Sequence, residues 1–133
     1  MLFTFANDAK TKFDEYDKAC REALSLIDEK MTDLEKALVL HDHVLAVCKY
    51  AYQSDGVSPD KNYSTSYDCL VKHKAVCQGY TMGYNSLLLR AGISVGTTQS
   101  IEIDHVWSLV KLDDNWYSVD VTWKDEDIAF FGN

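Results

Sequence analysis

Three residues in the second half of the sequence have the types that covalent chemistry on an amide requires: Cys77, His105 and Asp120. Cys77 precedes a run, Gln78-Gly79-Tyr80-Thr81-Met82-Gly83-Tyr84, that continues as an apolar helix. The unpaired amides and partial positive charge of a helix start favour a thiolate over a thiol. His105 follows 28 residues later, and a neutral imidazole beside a thiol can take its proton and return it to a leaving amine. Asp120 lies between Val119 and Val121, where an unpaired carboxylate would be costly to bury and an imidazole N–H is a suitable partner. Each residue alone has an ordinary explanation: a core cysteine, a strand-edge histidine, a solvated strand aspartate. Their joint geometry decides between the two.

That geometry follows from a hairpin. His105–Leu112 and residues 116–123 alternate as strands, and Asp113-Asp114 between them is a two-residue turn. Such a turn pairs Leu112 with Asn115 and sets His105 opposite Thr122. Asp120 then lies on the same face as His105, one diagonal step away. A slip of one residue would put it on the other face.

Helices come before these strands. Residues 8–28 place Phe13, Tyr16, Cys20, Ala23 and Ile27 on one helical face. A second helix opens with the capping box Thr32-Asp33-Leu34-Glu35 and carries Leu34, Leu38, His41, Leu45, Cys48 and Tyr52 as its apolar stripe, ending near 50–52. Residues 53–66 are polar, hold the only proline and read as a long surface loop. One or two helical turns are expected over 67–72 and irregular chain over 73–76. The third helix runs over 77–91, with Gly92 as its stop; it is apolar on several sides, and Gly79 and Gly83 leave a smooth strip for close packing. Ile93, Val95 and Thr97 begin a strand. Helices followed by an antiparallel sheet make an α+β pattern.

The 133 residues suit one domain, spanning 1–133, with enough chain for a core without staples. Hydrophobic residues make up 47%, a globular composition. The net charge of −8 repels phosphate backbones, so no nucleic-acid partner is expected. No apolar run reaches the ~20 residues of a membrane span. The start, MLFTFANDAK, lacks the pattern of a signal peptide. Ile128, Phe130 and Phe131 read as the start of a further packed element, so the natural domain is expected to continue; as a piece of a longer protein it would suit an extracellular or cell-envelope setting. The four cysteines, Cys20, Cys48, Cys69 and Cys77, show no framework spacing. Cys69, His73 and Cys77 recur at four-residue steps, with His41 and His43 upstream, but the irregular chain over 72–76 argues against a converging ligand set.

Three segments together resemble the transglutaminase-like superfamily. Ala75-Val76-Cys77-Gln78-Gly79-Tyr80 is similar to its GVCQGYA signature, His105-Val106-Trp107-Ser108 to its HAWN, and Trp116-Tyr117-Ser118-Val119-Asp120-Val121-Thr122-Trp123 to its WYxVDxTW. They occur in the family's order across residues 34–125. Ala75, Ser108 and Lys124 depart from the pattern, and none is a member of the triad. The resemblance implies a papain-like, transglutaminase-core fold of the α+β class, with helices packed on an antiparallel sheet and a central buried helix starting at the nucleophile. It implies Cys77 as nucleophile, His105 as base and Asp120 as the residue that orients it. The reaction would be attack on protein or peptide amides through a thioester, without a metal or organic cofactor. Hydrolysis is favoured over cross-linking because no amine-acceptor pocket is marked. Gln78, Tyr67, Trp107 and Trp123 are candidate oxyanion or substrate-side residues beside the Cys77 amide. The competing readings are a catalytically silent module that keeps the groove for a peptide or glycan, and acyl transfer to a small-molecule amine.

Overall fold

The computed structural model describes residues 7–122 and the backbone of 129–130. Trp123, Lys124, Ile128 and Phe131 lie outside the described residues.

Helix α1 spans Asn7–Leu24. It stops short of the expected residue 28 because the chain tightens: the Leu26 and Ile27 amides donate to the carbonyls three residues back, and the Asp28 carboxylate takes the Lys30 and Met31 amides. Cys20 and Ala23 are buried as expected, whereas Phe13 is 63% exposed.

Helix α2 spans Asp33–Val47 and opens with the expected capping box, Thr32 and Glu35 satisfying each other's amides. Its buried face is partly the expected one: His41 and Cys48 are buried and Leu45 packs against the core. Ala37, Leu40, His41 and Val44 face the core, while Leu34, Leu38 and Tyr52 stand more than 40% exposed. The helix carries two apolar stripes, and the one with a small residue wins. Ala37 lets α3 approach until the Tyr84 hydroxyl donates to its carbonyl at 2.8 Å. The helix ends at Val47 because Cys48 is extended, and β1, Lys49–Tyr50, pairs in parallel with β2, Lys74–Ala75. Residues 73–76 were expected to be irregular; a two-residue ladder forms there, and the Ala51 amide donates to the Ala75 carbonyl. The helical segment before it widens into a π-turn over Asp68–Lys72, closed by the His73 amide on the Asp68 carbonyl, with His73 at φ 64°.

Helix α3, Cys77–Arg90, is the centre of the molecule. Tyr80, Tyr84, Leu87 and Leu88 are buried. Gly92, at φ 83°, turns the chain out of the helix into the strands. The sheet runs in the order β3 (Val95–Ser100), β4 (His105–Leu112), β5 (Asn115–Val119), β6 (Ala129–Phe130), all antiparallel. Asp113 and Asp114 both take positive φ, 51° and 66°, as a primed hairpin turn requires, and Leu112 pairs with Asn115. The ladder of β5 ends at Val119, earlier than the expected residue 123, because Asp120 turns its carboxylate back onto the Thr122 amide. Helices packed on an antiparallel sheet give the α+β architecture that the sequence implies.

Candidate active site

Cys77 is the first residue of α3, and Val76 holds the cap position without any side-chain cap bond. Valine has no group to offer the first-turn amides, so no side-chain cap takes them up. The position is fixed from behind. The Val76 amide donates to the Tyr63 carbonyl, and Gly79 lets the 63–65 loop lie against the first turn: a Cβ there would fall 2.6 Å from the Ala75 Cβ and 3.0 Å from the Thr65 carbonyl oxygen. Gly83 serves the same end one turn on, where a Cβ would fall 2.9 Å from the Cys69 sulfur.

Side-chain bonds then tie α3 to the rest. Tyr80 donates to the Cys48 carbonyl at 3.0 Å. On the sheet side, Thr81 donates to the Val106 carbonyl at 3.3 Å, Ser108 donates to the Asn85 side-chain oxygen at 2.7 Å, and the Asn85 amide donates to the Gly96 carbonyl at 3.1 Å. Ser108 stands where the resemblance led to asparagine, and it is fully buried with its hydroxyl used.

His105 opens β4. Its Nε2 lies 2.5 Å from Asp120 Oδ2, and the Thr122 amide donates to the other carboxylate oxygen at 3.1 Å. Both side chains are largely buried, 12% and 14% exposed. The turn and register are the expected ones, but the ladder ends at Ser108↔Val119, so the expected facing pair of His105 and Thr122 does not form, and Asp120 meets His105 from just beyond the end of β5. Trp107 stacks on the His105 ring, with centroids 5.8 Å apart and planes 27° apart, so it restrains the imidazole from the flank.

Cys77 and His105 line one groove of about 420 Å³, together with Gln78, Tyr50, Met82 and Gln99. Gln78 is exposed at its edge. Tyr67 is not among the groove residues; it sits before the π-turn with Lys12 of α1 over its ring at 6.0 Å. Trp107 supports His105 without lining the groove, and Trp123 lies outside the described residues. The Cys69, His73 and Cys77 series does not converge, since Cys69 is buried against Gly83, His73 is exposed and Cys77 opens to the groove.

Two features of the groove have no mark in the sequence. Tyr50, on β1, stands close to Cys77; its phenol is pushed up by burial first and then by the Cys77 sulfur. Lys61 and Asp104, from loops 43 residues apart, form a 2.8 Å ion pair at the rim. Hydrogen bonding to Lys61 lowers the Asp104 carboxyl. An aromatic at a helix end and a charge in each of two polar loops are too common to be singled out without coordinates. The other three thiols are buried. Burial raises the Cys20 thiol, and contact with Cys48 followed by burial raises that of Cys69.

No family model matches the sequence, and no curated protein sequence matches it. Solved structures do match in shape. One is a TGase, at a TM-score of 0.68 and 16% identity, covering 99% of this chain and 35% of that one. Another is described as a "Putative Cysteine Protease" from Cytophaga hutchinsonii, at 0.59 and 15%, covering 96% and 48%. A third is described as a "Putative Protease" from Parabacteroides distasonis, at 0.54 and 13%, covering 92% and 30%. The chain therefore spans between about a third and a half of the length of these proteins. Matches in shape over nearly the whole of this chain, with the uncapped α3 and the antiparallel sheet already described, show that the protein has a transglutaminase-like, papain-related α+β fold.

Proposed function

We propose that this chain is a cysteine-nucleophile enzyme that attacks protein or peptide amides through a thioester on Cys77, with hydrolysis favoured over cross-linking. The observation that carries this reading is the His105–Asp120 pair at the wall of the groove into which Cys77 opens. The fold it shares with a TGase and with chains described as proteases supports the same class of chemistry.

An ionised Asp120 accepts a hydrogen bond, so it holds the imidazole proton on Nε2 and leaves Nδ1 as the basic nitrogen. Nδ1 takes the Cys77 proton, and the sulfur attacks the amide carbon. The carbonyl oxygen becomes an oxyanion that the uncapped amides at the α3 start, led by that of Cys77, can receive. The C–N bond breaks as the imidazolium returns the proton to the leaving amine, and a thioester remains. Water, deprotonated by the same nitrogen, then releases the acid; an amine in place of water would give transamidation. Gln78 and Tyr50 are the groove residues next in line to contact substrate.

The test is a panel of peptide amides, with and without a primary amine such as cadaverine, measuring released amine and product mass. Product acid that stays dominant in the presence of the amine supports hydrolysis. Amine-bearing product throughout would reverse the preference. No turnover of any peptide by a folded protein would favour the binding-module reading instead.

A further inference from the structure

The edge of the sheet beside the groove is left in a state that soluble proteins usually avoid. β3 has β4 on one side and, among the described residues, no strand on the other. Such edges are ordinarily blunted by lysine, proline, a bulge or shortness. β3 has none of these. Its six residues, Val95-Gly96-Thr97-Thr98-Gln99-Ser100, carry no charge and no proline, in a chain that is 26% charged, and they pair with β4 without interruption from Val95↔Val110 to Ser100↔His105. At the opposite edge, β6 spans two of the described residues, Ala129–Phe130.

The register shows which backbone groups are free. The Lys111 amide donates to the Ser94 carbonyl, so the facing pair 94 and 111 is a hydrogen-bonded one. Hydrogen-bonded pairs alternate along an antiparallel ladder, so Gly96, Thr98 and Ser100 also direct their amides and carbonyls at β4. The turn at Asp113-Asp114 fixes the same parity independently: Leu112 and Asn115 close the hairpin, so Leu112, Val110 and Ser108 bond towards β5, and the residues between them bond towards β3. Val95, Thr97 and Gln99 are left with their N–H and C=O groups directed away from the sheet.

Two of the three outward residues, Thr97 and Gln99, lie along the groove, and Val95 stands beyond its lining. Thr97, Gln99 and Ser100 line the same groove as Cys77 and His105, and the strand leads to the site because its last residue, Ser100, pairs with His105. Thr97 and Gln99 are exposed.

We propose that an extended peptide segment of the substrate adds to β3 as a further strand, held by the outward main-chain groups of Val95, Thr97 and Gln99, and that this pairing delivers its amide to Cys77. The inference rests on the nucleophile assigned above and names the substrate class: extended, unfolded or loop segments of polypeptide, read through the backbone before the side chain. Small amides without flanking peptide gain nothing from the edge. A second copy of this chain, pairing β3 to β3, is the competing occupant, but such a dimer would cover the strand that leads to Cys77 and gives no role to its place in the groove.

The probes are three electrophiles with one acyloxymethyl ketone warhead: an acetyl-tetraalanyl form, the same peptide with alternate backbone amides N-methylated, and an acetyl-capped form without peptide. The rate of adduct formation on Cys77 is read by mass mapping. The tetraalanyl probe should react about tenfold faster than the capped one, and N-methylation should remove that gain. Thr97→Pro deletes an outward donor without touching the ladder; it should slow the tetraalanyl probe about tenfold and bring its rate to within about twofold of the capped probe on the same variant. Equal rates for the peptide and its N-methylated form on wild-type protein overturn the proposal, whether or not the proline variant folds. So does a wild-type dimer in sedimentation that Thr97→Pro converts to monomer, since the edge would then serve self-association. Failure of the nucleophile itself is seen separately, as no iodoacetamide adduct on wild-type Cys77 before any peptide probe is added, and it removes this proposal with it.

Discussion

His105 and Asp120 face each other across the end of the β4–β5 hairpin, Nε2 to Oδ2 at 2.5 Å, at the point where β5 has left the ladder and Asp120 is free to turn inward. Asp120→Asn should keep the fold and, under the proposed mechanism, remove the carboxylate acceptor that keeps the ring proton on Nε2. The expected loss in turnover is about 10²–10⁴-fold, because the imidazole is then free to present the wrong nitrogen. Steady-state kinetics beside an unchanged circular-dichroism spectrum checks it. Activity within twofold of wild type would mean that the pair has no part in the chemistry.

Limiting iodoacetamide at neutral pH should modify Cys77 before Cys20, Cys48 and Cys69. Cys77 opens to the groove, while the other three thiols are buried, and Cys20 and Cys69 are also held protonated. Mass mapping after partial reaction gives the order. Equal labelling of all four would contradict an activated, accessible thiol.

Gly79→Ala separates helix propensity from packing. Propensity alone predicts a gain of about 1 kcal/mol. The added Cβ would lie 2.6 Å from that of Ala75 and 3.0 Å from a backbone oxygen, neither of which is a flexible side-chain end. Urea unfolding should therefore show a loss of about 1–3 kcal/mol. Stabilisation would mean that the 63–65 loop does not press on the start of α3.

Ser108→Ala leaves the buried Asn85 side-chain oxygen without its 2.7 Å donor. The expected cost is about 1–3 kcal/mol. Adding Asn85→Ala should cost less than the sum of the two single changes, because the pair acts as a unit. Strict additivity in the double-mutant cycle would show that the two side chains are not coupled.

Alkaline pH acts through the buried phenols. Burial raises Tyr84 above its ordinary 10.0, so the unfolded chain releases this proton first as pH rises. The stability gained by keeping the phenol protonated is complete below about pH 10 and is lost above it, by up to about 1.4 kcal/mol per pH unit. Tyr84→Phe should start less stable, having lost the bond to the Ala37 carbonyl, and decline less steeply above pH 10. Parallel stability curves for the two proteins would rule Tyr84 out as the group responsible.

Local chemistry made much of this architecture legible in the sequence. The Thr32 and Glu35 capping box, the stop at Gly92 and the turn at Asp113-Asp114 each involve residues a few positions apart, and the turn set the β4–β5 register as far as Ser108↔Val119, one residue short of Asp120. The buried face of α2 was legible only in part: His41, Leu45 and Cys48 were read correctly, but Leu34 and Leu38 are as apolar as Leu40 and Val44 and only the partner helix chooses between them. Tyr50 and the Lys61–Asp104 pair come to the groove through loop paths that no local pattern encodes. Tyr67 is a candidate oxyanion donor from the sequence, but it sits just before the π-turn, with Lys12 of α1 over its ring, and does not line the groove.

In the proposed reaction Cys77 attacks an amide carbon and holds the acyl group. Intact-mass measurement during turnover of a peptide amide tests it directly, on wild type and on Cys77→Ala. Wild-type protein should carry an acyl adduct that maps to the peptide containing Cys77, and a Cys77→Ala protein with a native circular-dichroism spectrum should show no adduct and no turnover. Full turnover by Cys77→Ala, or an adduct on another residue of the wild type, would contradict it.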